Sequence, residues 1–237
     1  MWDDEFSAFA QQYQVIRYDT RGYGNSTLGK GDATRTQDLY ELLRALGIEQ
    51  TTLLGCSQGG TTAIDFALEQ PSMTTALILV SAVPSGHDFA GEMPPKLQAF
   101  MAAYQQHDLT QATELAAQIW FDGPQRQPEQ MDATLRTQVR AMMRDVLAGG
   151  AIDLTGEKSA KRPAVDRLTE IHAPTLVIIG DQDDPSVLQA GEQLASTIPG
   201  AEKVVIPGAA HLPNLEKPAM FNRNVLDFLQ QRRLLAR

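Results

Sequence analysis

The sequence predicts an α/β fold: a mostly parallel sheet flanked by helices. Three observations predict it. "ALILVSA" at 76–82 is continuously apolar, as expected of a strand covered on both faces, and "TTLLGC" at 51–56 and "PTLVIIGD" at 174–181 read as further strands. Stretches with apolar residues at helical spacing alternate with them. Each such strand runs directly into residues suited to turns or to chemistry, as expected where parallel strands end on one edge.

Taken in order, Trp2, Phe6, Phe9 and Tyr13 are spaced four, three and four apart, which predicts a helix over 2–13. "QVIRYD" (14–19) reads as a short β-rich run closed by the turn-prone "TRGYGNS". Leu39, Leu42, Leu43 and Leu46 mark a helix in 36–46, with Gly47 at its C-terminal cap. "TTLLGC" (51–56) is a strand, followed by a helix through Ala63, Ala67 and Leu68 that stops before Pro71. "ALILVSA" (76–82) is the next strand.

Between Pro84 and about Val165 strand signals are absent. Prolines punctuate amphipathic stretches at 96–104, 110–120 and 129–147, which predicts an all-helical insertion at about 84–165 within one domain spanning 1–237. Alternation resumes with "PTLVIIGD" (174–181), a helix near 186–197, "EKVVIPG" (202–208), and a last helix from Pro218 to about Gln231.

Composition narrows the function. The 237 residues are 43% hydrophobic, enough for one sizeable core. A formal net charge of −9 argues against nucleic acid or an anionic membrane as partner. The single cysteine, Cys56, permits no intramolecular disulfide and no cysteine-rich metal site. No apolar run is long enough to span a bilayer, and the acidic start "MWDDEFSAF" does not resemble a secretion signal, so a cytoplasmic location is expected.

"GCSQG" (55–59) fits Gly-x-Ser-x-Gly between an expected strand and an expected helix. A strand turning abruptly into a helix strains the central residue and lifts its hydroxyl clear of the sheet. Side chains two positions either side are expected to collide, hence Gly55 and Gly59; Gly60 is expected to let the helix pack closely. The backbone N–H of Gln58 then lies at a helix N-terminus, suited to a developing oxyanion. With Cys56 at the centre, Leu54 and Gln58 would occupy the flanking positions and would not fit, so Cys56 reads as buried packing. The carboxylates of "GDQDDP" and His211 of "GAAHLPNLEKP" follow two later strands. A serine nucleophile needs a base, and the base needs a carboxylate to fix its tautomer.

Together, "VIRYDTRGYGNS", "LLGCSQGG", "TLVIIGDQDDP" and "GAAHLPNLEKP" resemble the signature segments of the α/β-hydrolase superfamily, in order. The overall wording is most similar to small bacterial carboxylesterases and enol-lactone hydrolases. The resemblance implies that Ser57 is the nucleophile and His211 the base. It implies that Asp183, three residues after Gly180, is the acid, with Asp181 and Asp184 as competitors. It implies a helical lid at the insertion, no cofactor, no metal, and a small-molecule ester or lactone cleaved through an acyl-enzyme. Serine at position 57 sets the chain apart from the dehalogenase and epoxide-hydrolase branches, which use aspartate there.

His172 reads as core or surface packing, His87 and His107 fall in the insertion, where a substrate contact is open, and Asp19 and Arg21 read as fixing the loop after their strand. Met101, Trp120, Phe121, Met142 and Met143 read as core ahead of an acyl pocket. The family places strands and a His-Gly loop, source of a second oxyanion N–H, before the helix read at 2–13. Relative to that pattern the chain is expected to be N-terminally shortened by roughly 25–35 residues. The third family strand belongs between 14–19 and 51–56, so either the start is misassigned or truncated, or those segments pair directly, or they borrow a strand from a partner chain. In the last case a dimer follows. The alternative functional reading is a catalytically impaired or inactive relative that binds a ligand or a partner.

Overall fold

The computed structural model describes residues 1–27, 33–89, 91–150 and 162–232. Four strands, β1 (Thr51–Cys56), β2 (Thr74–Val80), β3 (Thr175–Gly180) and β4 (Glu202–Ile206), pair in the order β1-β2-β3-β4. Every pairing is parallel. Cys56 lies opposite Val80, Val80 opposite Ile178, and Gly180 opposite Ile206. The C-terminal ends are therefore nearly flush, and the residues that follow them emerge along one edge.

The pleat divides the core. Leu77, Leu79, Val177 and Ile179 face one apolar cluster, while Ala76, Ile78, Val80, Leu176 and Ile178 face the other. The first cluster is roofed by α2 (Arg35–Ala45), α3 (Gln58–Glu69) and α7 (Pro185–Thr197) through Leu39, Leu43, Ile64, Phe66 and Leu194. The second is roofed by α1 (Asp3–Phe9) and α9 (Pro218–Gln231) through Phe9, Phe221, Val225 and Phe228. Burial on both faces is why β2 and β3 read as unbroken aliphatic runs.

Local chemistry sets the helix ends. The Thr34 hydroxyl accepts from Gln37 N at 3.2 Å and starts α2. Gly47, at φ +69°, stops it, with Ile48 N donating to Leu43 O at 2.9 Å. Asp184 accepts from Ser186 N at 2.9 Å and, with Pro185 in the first turn, starts α7.

Between β2 and β3 lie α4 (Pro95–Gln105), α5 (Leu109–Ala117) and α6 (Ala133–Ala148). Residue 90 and residues 151–161 of the expected insertion fall outside the described residues. These helices share their own small core around Phe100, Ala103, Ala112, Ala116 and Leu147. Trp120, Met101 and Met143 pack against it, and Phe121 is buried in the main core, in line with the core reading of these residues. A buried ion cluster joins the helices: the Arg136 guanidinium donates to both Asp122 oxygens and, at 2.6 Å, to Glu114 Oε1. The Asp122 side chain is 1% exposed, so Arg136 neutralises a charge that water does not reach.

The one expected strand that does not form is 14–19. Among the described residues its main chain makes no backbone–backbone hydrogen bond, and the outer edge of β1 has no neighbouring strand. The two segments do not pair directly. They are separated by a groove of about 440 Å³ lined from both sides.

The elbow glycines differ in what they do. A Cβ at Gly55 would sit 2.2 Å from Gly59 O, and one at Gly60 would sit 2.4 Å from Ala82 Cβ. A Cβ at Gly59 would meet nothing within 4 Å. The expectation that Gly59 clears space is thus corrected: position 59 faces outward on the first turn of α3, and Gly60 makes the close approach.

Gly55→Ala should destabilise by more than about 2 kcal/mol, since backbone must move, whereas Gly59→Ala should be neutral or stabilising by up to about 1 kcal/mol. Denaturant titration of the two variants checks the contrast. Arg136→Ala should cost about 3–5 kcal/mol by leaving Asp122 buried and unpaired. Arg136, beside Glu114, holds that carboxyl below its ordinary 4.5. Its stabilising contribution is therefore full above that value and is lost as pH falls through the lowered one, so acid unfolding of the Arg136 variant should lack this share.

Candidate active site

The edge formed by the strand ends gathers the chemistry. Ser57 follows β1 and has φ +52° and ψ −120°, a left-handed conformation costly for a residue bearing a side chain. Two bonds hold it there: Ser57 N donates to Val80 O at 2.9 Å, and Thr61 N to Ser57 O at 3.0 Å. The strain arises because β1 must give way at once to α3, whose first turn lies on the Gly55 backbone. At that first turn the N–H groups have no helical acceptor, and the Gln58 N–H is among them.

The side chain of Gln58 is fixed from outside the elbow. Its amide donates to Tyr23 Oη at 2.8 Å and accepts from the Arg35 guanidinium at 3.0 and 3.1 Å. Arg21 in turn pairs with Asp38 through bonds of 2.7 and 2.5 Å. Asp19 accepts from Asn25 N at 2.9 Å and lies against Gly24. Asp19 and Arg21 thus organise the loop before α2, as expected of them.

Past β3, the three carboxylates separate by partner. Asp181 accepts from Gly208 N at 2.7 Å and ties two loops together. Asp184 caps α7. Asp183 is 3% exposed and receives His211 Nδ1 at 2.9 Å on Oδ2 and 3.1 Å on Oδ1, with Asp184 N donating to Oδ1 at 2.8 Å. Of the three, Asp183 is the one bonded to the histidine. Donation from Nδ1 to the carboxylate fixes the ring proton there and leaves Nε2 as an acceptor. His211 is itself 5% exposed, and its Nε2 is buried with no hydrogen-bond partner among the described residues. A buried basic nitrogen kept open on the edge that carries Ser57 can take a proton from a hydroxyl brought to it.

Backbone contact makes this arrangement close. A Cβ at Gly180 would lie 2.2 Å from Ala209 O and 2.3 Å from Ala210 O, so only glycine lets β3 pass beneath the loop that carries His211. Cys56 is buried below, with its Sγ 3.6 Å from His211 O, and burial pushes its thiol far above the ordinary range. It packs and does not ionise.

One set of residues was not legible in the sequence. Arg126 donates to Phe121 O at 2.7 Å, Asp122 O at 2.6 Å and Gly208 O at 2.8 Å, and pairs with Glu216 at 2.7 Å. Glu216 accepts from Ala210 N at 2.7 Å. Arg126 therefore ties the segment after α5 to the loop that carries His211. Its partners lie up to 90 positions away, and no local pattern announces them. The other histidines stay out of the site: His87 meets Gln193 at 3.2 Å, and His107 and His172 are exposed. Among the described residues, no cluster of side chains could hold a metal ion, and no helix is long and apolar enough to cross a membrane.

Known proteins share this architecture. A family model described as the alpha/beta hydrolase fold matches residues 1–218. The chain is 30% identical to a 2-hydroxy-6-oxononadienedioate/2-hydroxy-6-oxononatrienedioate hydrolase of Paraburkholderia phymatum, covering 94% of this chain and 79% of that one. It is 30% identical to 3-oxoadipate enol-lactonase 2 of Acinetobacter baylyi, covering 95% and 82%. Among solved structures, a hydrolase from Pseudomonas aeruginosa superposes with a TM-score of 0.76 at 30% identity, over 97% of this chain and 84% of the other. The strand order, the helices on both faces and a match over most of the length lead to one conclusion: the chain belongs to the α/β-hydrolase family.

Proposed function

We propose that this protein is a serine hydrolase that cleaves a small carboxylic ester or lactone without a cofactor. The observation that carries the reading is the buried Asp183–His211 pair, whose Nε2 is left open on the edge where Ser57 is strained outward. In this reading His211 Nε2 takes the Ser57 proton as Oγ attacks the carbonyl. The Gln58 N–H stabilises the oxyanion of the tetrahedral intermediate. Collapse passes the proton from His211 to the leaving oxygen and gives an acyl-enzyme. A water that loses its proton to His211 then attacks the ester, and Ser57 regains its hydrogen as the acid departs.

One relative is named an enol-lactonase, which supports a lactone substrate; the other is named the hydrolase of an oxo-acid, which carries no ester and supports hydrolysis alone. We place α4 to α6 as the lid of a single domain, with Arg126 holding its base against the loop that carries His211. A second reading, an impaired relative that binds a ligand, draws on the open groove beside β1.

Hydrolysis of p-nitrophenyl acetate and of a small lactone tests the choice. Ser57→Ala should lower kcat by about 10⁶-fold, and Asp183→Asn by about 10³–10⁴-fold, by putting the ring proton on the wrong nitrogen. Asp181→Asn and Asp184→Asn should stay within about tenfold of the parent. Equal turnover in parent and Ser57→Ala would contradict the assignment.

A further inference from the structure

We infer that Arg126 and Glu216 are positioning residues for His211: together they fix the backbone that carries the imidazole and so set the ring against Asp183. The loop after β4, residues 207–211, makes no backbone hydrogen bond with itself among the described residues. Its peptide groups are held one by one from outside. Gly208 N donates to Asp181 Oδ1 at 2.7 Å, and Gly208 O accepts from Arg126 at 2.8 Å. Ala209 O accepts from Gln182 N at 2.9 Å, and Ala210 N donates to Glu216 Oε1 at 2.7 Å. The ion pair therefore grips the loop at Gly208 and again at Ala210, the residue before the histidine.

The pair is itself fixed. Its side chains are 16% and 5% exposed, and Arg126 also donates to Phe121 O at 2.7 Å and Asp122 O at 2.6 Å. Those carbonyls close the π-type turn Gln118–Asp122, where the helical bonding of α5 runs out. Gly123 follows, and a Cβ there would lie 2.5 Å from Gln182 O and 3.1 Å from Ala210 Cβ. The segment thus rests on the Asp183 loop and the His211 loop at once. Glu216 closes α8 (Pro213–Glu216), which starts two residues after His211, so its carboxylate reaches back over one turn.

A pair buried to this degree adds little net stability over apolar side chains of the same size. What it adds is direction, because the planar fork of Arg126 and the carboxylate of Glu216 bond fixed atoms at fixed angles. A general base needs that precision, since a misplacement of about 1 Å can cost about 10²-fold in rate.

The positioning role rests on the hydrolase reading for its kinetic readout alone. The His211 Nδ1 proton reports the bond to Asp183 whether or not an ester is cleaved. The test compares the full chain with Arg126→Met, Glu216→Ala and Glu216→Gln, the last keeping an oxygen that accepts from Ala210 N and Arg126. Leu43→Ala, a cavity in the core beneath α2, reports what destabilisation alone does. Proton NMR follows the low-field Nδ1–H resonance, identified by its absence in Asp183→Asn. Hydrolysis of p-nitrophenyl acetate gives kcat and KM, at a temperature where circular dichroism shows each variant folded. Arg126→Met and Glu216→Ala should shift or lose the resonance and lower kcat about 10–100-fold, with KM within about threefold. Glu216→Gln should keep the resonance and most of the turnover, and Leu43→Ala should change neither. Where Arg126→Met does not fold, Arg126→Lys replaces it: it keeps the charge without the fork and should still shift the resonance. An unchanged resonance in the Arg126 and Glu216→Ala variants would overturn the positioning role, and so would an equal loss in Leu43→Ala. A parent that shows the resonance, loses it in those variants and cleaves no ester would contradict the hydrolase reading while supporting the positioning role.

Discussion

The close approach of α3 to the end of β1 is the constraint on which the rest of the site depends. Gly55 lies against the Gly59 carbonyl, and Gly60 against Ala82, so the helix begins with no intervening loop. The chain can turn that sharply only by holding Ser57 in a left-handed conformation, and the sheet holds it through the bond to Val80 O. Strain at one residue is thus balanced by burial along two strands and a helix. The same geometry leaves the first-turn N–H groups of α3 facing outward beside the hydroxyl.

Parallel pairing extends this local device into a site. Because the strand ends are flush, loops distant in sequence converge without long excursions. Gly180 lets β3 slip beneath Ala209 and Ala210, which sets His211 above Asp183. Arg126 and Glu216 then anchor that loop to the segment after α5 through side-chain bonds. The buried pair offsets its cost of desolvation because both carboxylate oxygens of Asp183 are engaged.

Much of this was legible in the sequence, for a physical reason in each case. β2 and β3 read clearly because burial on both faces demands aliphatic runs, and α9 read clearly because Pro218 marks its first turn. Asp183 was singled out only by its offset from Gly180 in the family pattern, because Asp181, Asp183 and Asp184 look alike as residues and differ in which neighbour each meets. Gly59 misled because spacing alone cannot tell a glycine that clears space from one that faces outward. The run 14–19 has strand-like residues but no neighbour to pair with, and a strand is defined by its partner. Arg126 was invisible because its role exists only in three dimensions.

The proposed activation of Ser57 by His211 is open to a direct chemical test. Treatment of the folded protein with a serine-directed fluorophosphonate, followed by peptide mapping by mass spectrometry, tests it most directly. A single adduct on Ser57 is expected, formed at least about 10³-fold more slowly in His211→Ala. Folded protein that stays unlabelled at Ser57, or that labels as fast without the histidine, would contradict it.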